Sequence, residues 1–373
     1  MLGAGAVAGL GLVAASAAPA AAAQQQGSSR TRTHIVLLGT SGGPRQFADY
    51  GGPEERSGTA SALVVGDRYY LIDAGEGVLR QLTRAGLGAV KATGRDPLAQ
   101  LAGVFITHLH SDHVVDVPNL ISLGLFNGLG RPERPVPLIG PGDRGILPPL
   151  YGDGAEPPVV NPEAPTPGTR AMVEHLIAAY ATDYNDRARD NRLPVPHQLV
   201  DARDIQLPVG IGADPNTNPH PAMEPFAVFE DELVRVTATL VQHAPVFPAF
   251  AFRFDTEDGS VVFSGDTGPS ENLVRLARGA NVLVHEVIAP AGIAKLYPEP
   301  RSPEDEATYQ HVLRSHTPLE EVGPIAERAG VDTLVLNHLA PATLPRRAFA
   351  AGGKGFSGRT IVGEDLMVLN VGG

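Results

Sequence analysis

The 373-residue sequence contains no cysteine and no tryptophan, and aromatic residues make up only 5% of it. The absence of cysteine excludes disulfide bonds, cysteine nucleophiles and thiolate zinc sites, so a metal ion has to be held by nitrogen and oxygen ligands. Basic residues are also few, since 29 Lys and Arg stand against 41 Asp and Glu, for a formal net charge of −12. Because proteins that bind nucleic acid generally carry a basic face, this balance predicts no nucleic-acid partner.

The remaining composition is that of a globular protein, with 43% apolar and 19% charged residues. The length suits one large core or two packed halves. After the N-terminal segment, the sequence has no apolar run long enough to cross a bilayer, so we expect no membrane span in the mature protein. We expect a small-molecule substrate as its partner, and a homodimer is compatible with the sequence.

The N-terminal segment, residues 1–23, is an uncharged run of Ala, Gly, Leu and Val that ends in small residues and changes to polar residues at Gln24. This pattern predicts a secretory signal peptide followed by a linker, residues 24–32. No Lys or Arg precedes the run, so we expect that the true start lies upstream and that the signal is of the twin-arginine type. The prediction is export to the periplasm or the cell exterior, and a disordered Ala/Gly tail is the alternative.

From residue 33 to residue 373 the sequence repeats one pattern, in which an apolar strand is followed by a loop and a helix. The predicted strands end in polar side chains that bind metals or transfer protons, namely Asp73, the cluster 108–113, His243, Asp266, His285 with Glu286, and His338. Strand ends that meet at one rim of a sheet bring such side chains to a common point. The pattern therefore predicts one α/β domain with its functional site at a sheet rim.

The cluster ITHLHSDH has the residue types and spacing of a metal site. His108 and His110, two apart on an extended strand end, project the same way and can share one ion. Asp112 and His113 follow a turn of the chain and can hold a second ion close by. The remaining ligands have to come from other strand ends, and we predict His243 for the first ion, His338 for the second and Asp266 as the bridging carboxylate. Zinc is the expected metal, while manganese or iron would also accept these ligands.

Several stretches resemble the metallo-β-lactamase superfamily in their residues and order: LIDAGEG (71–77), THLHSDH (107–113), QHAP (242–245), SGDTGPS (264–270) and LNHLAP (336–341). The resemblance implies a four-layer αββα sandwich with a dinuclear site on one rim. His285, Glu286 and His316 are similar to further motifs of the ribonuclease Z-related branch. LLGTSGGPR (37–45) and AYATDYNDRAR (179–189) are similar to its exported arylsulfatase-like members.

The sequence also departs from these relatives. It lacks the second-site cysteine of the best-known β-lactamase subclass and has Asp112 there instead. It also lacks a Lys/Arg-rich arm like the one with which ribonuclease Z enzymes hold transfer RNA. Neither the β-lactamase name nor the ribonuclease Z name is therefore expected to describe the function of this protein.

The resulting hypothesis is hydrolysis by a metal-bridging hydroxide. Asp112 would orient the nucleophile and accept its proton, and His316, steered by Glu286, would protonate the leaving group. Asp73 would support the metal-binding loop from behind. For His316 a structural role remains open, because Thr317 and Glu320 form a potential capping box for the helix that follows.

The substrate is expected to be an aryl ester, an aryl sulfate or a phosphodiester. A hydrolytic dehalogenase, a lactonase and a metal-binding protein without catalysis are the alternatives.

A segment rich in Pro and Gly, about residues 127–232, is predicted to be an insertion that caps the site. It contains one predicted helix, on which Tyr180, Tyr184 and Arg187 form a stripe that could bind an aromatic anion. In the alternative, the segment is a structural layer, the tyrosines pack the helix down and Arg187 pairs with Asp183.

Overall fold

The computed structural model describes residues 33–44, 55–92, 94–131 and 133–372. The predicted signal peptide and linker lie outside the described residues. The apolar, β-branched runs of the sequence form strands with these bounds: β1 (Thr33–Gly39), β2 (Ala60–Val65), β3 (Arg68–Ile72), β4 (Ala89–Lys91), β5 (Gly94–Asp96), β6 (Leu101–Phe105), β7 (Val136–Pro141), β8 (Val200–Ile205), β9 (Phe226–Glu230), β10 (Arg235–Leu240), β11 (Phe250–Thr256), β12 (Gly259–Phe263), β13 (Val282–Ile288), β14 (Thr333–Ala340), β15 (Arg359–Val362) and β16 (Val368–Asn370).

The α-helices connect these strands and cover the outer faces of the sheets. Short 3₁₀ helices occur at Leu123–Phe126, Pro196–Gln198 and Arg346–Gly353. The α-helices of the described residues are α1 (Val78–Arg84), α2 (Ser111–Val114), α3 (Val117–Ser122), α4 (Thr169–Ala179), α5 (Ala181–Asp190), α6 (Glu271–Leu276), α7 (Pro290–Leu296), α8 (Pro303–Ser315) and α9 (Leu319–Ala329).

Two large mixed sheets form the centre of the fold. The first has the order β16-β1-β2-β3-β6-β7-β8, and the second has the order β15-β14-β13-β12-β11-β10-β9. In each sheet a run of antiparallel strands joins a run of parallel strands, with the change at β3/β6 in the first sheet and at β12/β13 in the second. The predicted hairpin of β2 and β3 is confirmed, and Gly66 at its turn has the positive φ of 64° that a tight turn requires.

Alternate residues of the strands pack on opposite faces of each sheet. In β1, Ile35 and Leu37 belong to the core between the two sheets, whereas Val36 and Leu38 belong to the core beneath α1 and α3. A third core joins the outer face of the second sheet to α6 and α9. Three apolar cores separate four layers, so the predicted αββα sandwich is confirmed.

The prediction that residues 127–232 form an insertion is wrong in part, because three strands of this segment belong to the two sheets. Strands β7 and β8 of this segment lie in the first sheet, and β9 lies in the second. The two long stretches of the segment that lie outside the sheets are 142–199 and 206–225. Prolines and glycines around these short strands concealed them, because such residues are more typical of loops.

The predicted single helix of this segment is also corrected. Two helices, α4 and α5, meet at Tyr180, whose ψ of 14° interrupts the helix. The break lets Tyr184 join the buried core beneath the first sheet.

Candidate metal centre

The histidine cluster lies where β6 leaves the core between the sheets. After β6, the backbone of Thr107 accepts a hydrogen bond from Phe250 of the second sheet, which brings the two sheets together at this rim. His110 is the extended N-cap residue of α2, and Asp112 and His113 lie in the first turn of that helix. The change from strand to helix is the turn of the chain that the sequence predicted between the two pairs of ligands.

The structure brings the predicted metal-binding side chains together in two donor sets. In each set the donor atoms lie within 4.8 Å of one another. Asp266 belongs to both, as expected for a bridging carboxylate. The first set is His108, His110, His243 and Asp266, and the second is Asp112, His113, Asp266 and His338.

One oxygen of Asp266 lies at the centre of these sets. Its Oδ2 atom is 3.2 Å from Nε2 of His113 and 3.3 Å from Nε2 of His338. The same oxygen is 3.7 Å from Nε2 of His108 and 4.0 Å from Nε2 of His243. A single carboxylate therefore contacts histidines of both donor sets.

Gly265 allows Asp266 to reach this position. Its φ of 57° is in the left-handed region. A Cβ atom at Gly265 would lie 2.7 Å from the carbonyl oxygen of Phe250 and 2.9 Å from Cβ of Thr107. Only glycine meets both conditions, so the G-D pair follows from the close approach of the two sheets.

Two histidines are oriented by hydrogen bonds from behind. Nδ1 of His113 lies 2.8 Å from Oδ2 of Asp73, whose other oxygen accepts the backbone N–H of Thr107. Nδ1 of His243 donates to the carbonyl oxygen of Ser315 at 2.8 Å. In both rings Nε2 is left to face Asp266, which is the arrangement that metal-ligating histidines generally have.

Burial and mutual contact shift the pKa values of the cluster. Burial and the neighbouring His113 lower the pKa of His108, and burial lowers that of His243. Burial alone would raise the pKa of Asp266, but His338 and His113 outweigh it and hold that pKa well below its usual range. The bridging residue is thus a carboxylate surrounded by imidazoles.

The donor set fits divalent cations. Nε2 of His108 and Oδ1 of Asp266 are buried without a hydrogen-bond partner. Buried polar atoms without partners cost free energy, and a cation held by nitrogen and oxygen would satisfy both. Metal-binding clusters are therefore part of this structure, and the identity of the metal remains a prediction.

Glu286 and His316 form a buried pair next to the second donor set. Nδ1 of His316 lies 3.1 Å from Oε1 of Glu286, which also accepts the backbone N–H groups of Thr267 and Thr317. Burial alone would lower the pKa of His316, but the Glu286 carboxylate outweighs it and raises that pKa to about 9. The ring of His316 stacks on His338 with centroids 5.6 Å apart. An imidazole held by a buried carboxylate is thus placed beside the candidate metal centre.

The predicted capping box after His316 is wrong. The N-cap of α9 is Pro318, and no side chain caps this helix end. The hydroxyl of Thr317 instead donates to the carbonyl oxygen of Thr267 at 2.6 Å. Tertiary contact with the loop after β12 has replaced the local cap.

His311 is a site residue that the sequence did not reveal. Its ring centroid lies 5.9 Å from that of His110, 6.1 Å from that of His243 and 6.5 Å from that of His316. Ser315 donates its only hydroxyl proton to the carbonyl of Ala244, so its oxygen accepts from Nδ1 of His311 at 3.3 Å. Burial, with the nearby His110, lowers the pKa of His311 to about 4. A single histidine on α8 carries no motif, so it could not be recognised from the sequence.

The predicted substrate-binding stripe has other contacts in the structure. The hydroxyl of buried Tyr184 lies 2.6 Å from Oγ of Ser122, whereas Tyr180 is 42% exposed. Arg187 pairs with Asp183 at 3.2 Å. These contacts favour the alternative, in which Tyr184 packs the helix and Arg187 makes a local ion pair.

The fold and the two donor sets define an α/β protein with a candidate metal centre for two ions at the rim of its sheets. Comparison with known proteins gives the family. The profile of the metallo-β-lactamase superfamily matches residues 54–311, and the chain belongs to this superfamily.

The chain is similar to ribonuclease Z proteins along nearly its whole length. It is 32% identical to ribonuclease Z of Mycobacterium bovis over 342 residues, which cover 90% of this chain and 98% of that protein. The ribonuclease Z of Mycolicibacterium paratuberculosis is 28% identical with the same coverage. Both similarities confirm the predicted ribonuclease Z-related branch, whereas the arylsulfatase-like resemblance remains a prediction.

The same fold occurs in solved structures. The short form of human tRNase Z has a TM-score of 0.55 and 17% identity, and the alignment covers 91% of this chain and 99% of that one. This likeness supports the fold.

In the described part of the chain, no helix combines the length and apolar character that a membrane span needs.

Proposed function

We propose that this protein is a metal-dependent phosphodiesterase. Membership of a hydrolase superfamily and the two donor sets that share Asp266 support hydrolysis. Among the substrate classes predicted from the sequence, the phosphodiester is favoured by the 32% identity to a ribonuclease Z, whose name denotes cleavage of RNA. This relationship also weighs against the expectation that nucleic-acid substrates are excluded. The observation that carries the proposal is that Asp266 belongs to both donor sets.

Two bound ions, zinc in the first instance, would lower the pKa of a water molecule and polarise the phosphoryl oxygen. Asp112 lies at the edge of the centre, with Oδ2 3.4 Å from Nε2 of His338. Burial alone would raise the pKa of Asp112, but His113 and His338 lower it, so the side chain is a carboxylate at neutral pH. It can orient the attacking water and accept a proton from it.

His316 supplies the second proton transfer. Departure of the alcohol requires a proton on its oxygen as the P–O bond breaks, and a protonated imidazole can donate it. The Glu286 carboxylate keeps His316 protonated and fixes its ring through Nδ1, so Nε2 is the atom that would donate. Water is thereby added across the P–O bond, and the products are an alcohol and a phosphate ester.

A substrate panel tests this function. Protein reconstituted with zinc, manganese or iron would be assayed on bis(4-nitrophenyl) phosphate, 4-nitrophenyl sulfate, 4-nitrophenyl acetate, an aryl lactone, an aryl halide and a short RNA with a 3′ extension. We expect the phosphodiesters to have the highest kcat/KM. Faster turnover of the sulfate, the ester, the lactone or the halide would overturn the proposal, and metal binding without turnover of any substrate would leave a non-catalytic metal-binding protein.

A variant pair links the activity to this centre. Asp112→Asn should lower kcat on the phosphodiester by about 10²-fold or more, since it removes the proton acceptor. Asp201→Asn is the matched control, because Asp201 is a partly exposed residue of β8 that pairs with Arg203. Equal activity of the two variants would contradict the role of Asp112.

The predicted export of the protein stands as a further proposal, supported by the apolar composition of residues 1–23. Fractionation of cells that express the full gene, with an antibody against the domain, would test it. Recovery of the uncleaved chain from the cytoplasm alone would contradict it.

A further inference from the structure

We infer that the cavity beside Asp112 binds the nucleoside part of the substrate, and that Arg80 and Arg84 bind a second phosphate one nucleotide away from the bond that is cut. This inference rests on the proposed phosphodiesterase function and specifies its substrate. A nucleotide with two phosphates, at the end of a chain or free, is the chemical class.

The cavity borders the metal centre directly. Its volume is about 810 Å³, and its lining includes Ser111 and Asp112 on one side and α1 with the loop 364–366 on the others. Asp112 belongs to the second donor set, so a molecule in the cavity reaches the place where hydrolysis would occur. Sites for small ligands generally have volumes of ~300–1,000 Å³, so the cavity accommodates a group larger than a single aryl ring.

Two arginines of α1 line this cavity. Arg80 and Arg84 are four residues apart, so they project from the same face of the helix. Both side chains are exposed. Across the described residues Arg80 has no ion-pair partner, and its guanidinium is available for an anion.

Arg84 is held in place by a buried residue. Its NH1 donates to Oε1 of Gln81 at 3.0 Å, and Nε2 of Gln81 donates to the carbonyl oxygen of Leu38 at 2.6 Å. Gln81 is only 2% exposed. The remaining N–H groups of Arg84 can form the paired hydrogen bonds that guanidinium groups make with phosphate.

Two of the carboxylates in the lining are already engaged by other residues. Asp365 accepts hydrogen bonds from the backbone of Ser57 at 2.7 Å and the hydroxyl of Thr40 at 2.8 Å. Glu364 pairs with Arg346. Within the described residues, neither carboxylate forms an ion pair with Arg80 or Arg84.

Glu55 and Glu76 also line the cavity. They are hydrogen-bond acceptors, which suit the hydroxyl groups of a sugar or the amino group of a base. A lining with both arginines and carboxylates fits a nucleotide better than it fits a simple anion.

The described part of the lining is polar rather than aromatic. Among the described lining residues there is no aromatic side chain, and the larger apolar ones are Val115 and Leu366. Tyr180 and Tyr184 are not part of it. The described lining residues therefore offer polar contacts rather than aromatic faces for stacking.

Two matched substrates test the second-phosphate site. The first is the 4-nitrophenyl ester of thymidine 5′-phosphate, and the second is the same ester with an additional 3′-phosphate. We expect a KM about tenfold or more lower for the second, in line with charge-assisted hydrogen bonds to one phosphate. Arg80→Gln with Arg84→Gln should abolish this preference, while metal content and kcat/KM on bis(4-nitrophenyl) phosphate stay unchanged.

Arg170→Gln is the matched control. Arg170 is an exposed arginine at the start of α4 and does not line the cavity, so this variant should keep the preference. If the unsubstituted protein cleaves both esters without preference, or the double variant retains the preference, the inference is wrong and the phosphodiesterase function stands.

A binding measurement separates failure of the inference from failure of the function. Calorimetric titration with adenosine 3′,5′-bisphosphate requires no turnover. If neither ester is cleaved, the proposed function is wrong. Binding that is about tenfold weaker in the double variant would still support the cavity site, and equal or absent binding in both proteins would overturn it.

Discussion

Oδ2 of Asp73 lies 2.8 Å from Nδ1 of His113, so a carboxylate at the end of β3 orients a histidine of the metal centre. Asp73 has a positive φ of 60°, a conformation that Asp and Asn tolerate better than most residues. The backbone at this strand end is therefore adapted to position one side chain behind the centre.

This contact predicts that Asp73→Asn weakens metal binding. The amide would present N–H to the N–H of His113, so the ring would lose its orientation while the backbone keeps its shape. We expect affinity at the second donor set to fall by about 10- to 100-fold. Competition with a zinc chelator would measure it, with Asp67→Asn, in the turn of the same hairpin, as the control. Unchanged affinity would show that Asp73 does not act through His113.

Asp266→Ala should remove more metal than His338→Ala. Asp266 contacts histidines of both donor sets, whereas His338 belongs to the second set and not to the first. We therefore expect loss of both ions in the first variant and of mainly one ion in the second. Elemental analysis after reconstitution would measure this, and equal losses would show that the bridge is misassigned.

The pair of Glu286 and His316 predicts a pH dependence of stability in the metal-free protein. The pKa of His316 is raised from 6.5 to about 9, so protonation stabilises the folded state. This contribution is fully present below pH 6.5 and is lost as the pH rises towards 9. Its size is at most ~3 kcal/mol.

Glu286→Gln should remove most of this dependence while it retains an oxygen for the backbone N–H groups of Thr267 and Thr317. Denaturant unfolding of the metal-free proteins between pH 6 and about 9.5 would compare the two. If the free energy of unfolding changed with pH in the same way in both proteins, the pairing of Glu286 with His316 would be contradicted.

Ser315→Ala should destabilise the protein without removing metal. The hydroxyl donates to the carbonyl oxygen of Ala244 and accepts from His311, and both hydrogen bonds are partly buried, so their loss should cost ~0.5–1.5 kcal/mol. The ligand His243 is held by the backbone carbonyl of Ser315, which the substitution retains. Thermal unfolding and metal analysis would test both parts, and loss of the first ion would contradict the second.

Arg187→Ala should have little effect on catalysis. Arg187 makes an exposed i,i+4 pair with Asp183, and such pairs contribute ~0.3–0.5 kcal/mol. We expect kcat/KM on phosphodiesters to stay within about twofold and metal content to be unchanged. A tenfold or larger loss of kcat/KM would restore the earlier prediction that Arg187 binds the substrate.

The fold class and the ligand candidates could be predicted because they depend on local sequence. Alternating apolar residues define the strands, and the residue after a strand end is exposed at a sheet rim by the geometry of the chain. The cluster from His108 to His113 is short enough that its spacing alone indicates two ions. Asp266 and His243 follow β12 and β10, and His338 lies close to the end of β14, so their convergence followed from the topology.

Other features depend on contacts between distant segments. The break at Tyr180 and the placement of β7 to β9 in the sheets were missed, because local propensity does not show which run finds a partner strand. Thr317 donates a hydrogen bond to Thr267 and does not cap the helix that follows it. This contact joins distant segments, so the local sequence did not show it.

By itself the sequence determined the layer architecture and the candidate donor residues, since backbone periodicity and ligand chemistry are local properties. Only the tertiary structure decided that His311 lies near the donor histidines, that Glu286 pairs with His316, and that Arg80 and Arg84 line a cavity next to Asp112. Each of these depends on a distance between residues far apart in the chain, and on burial that makes charges interact strongly.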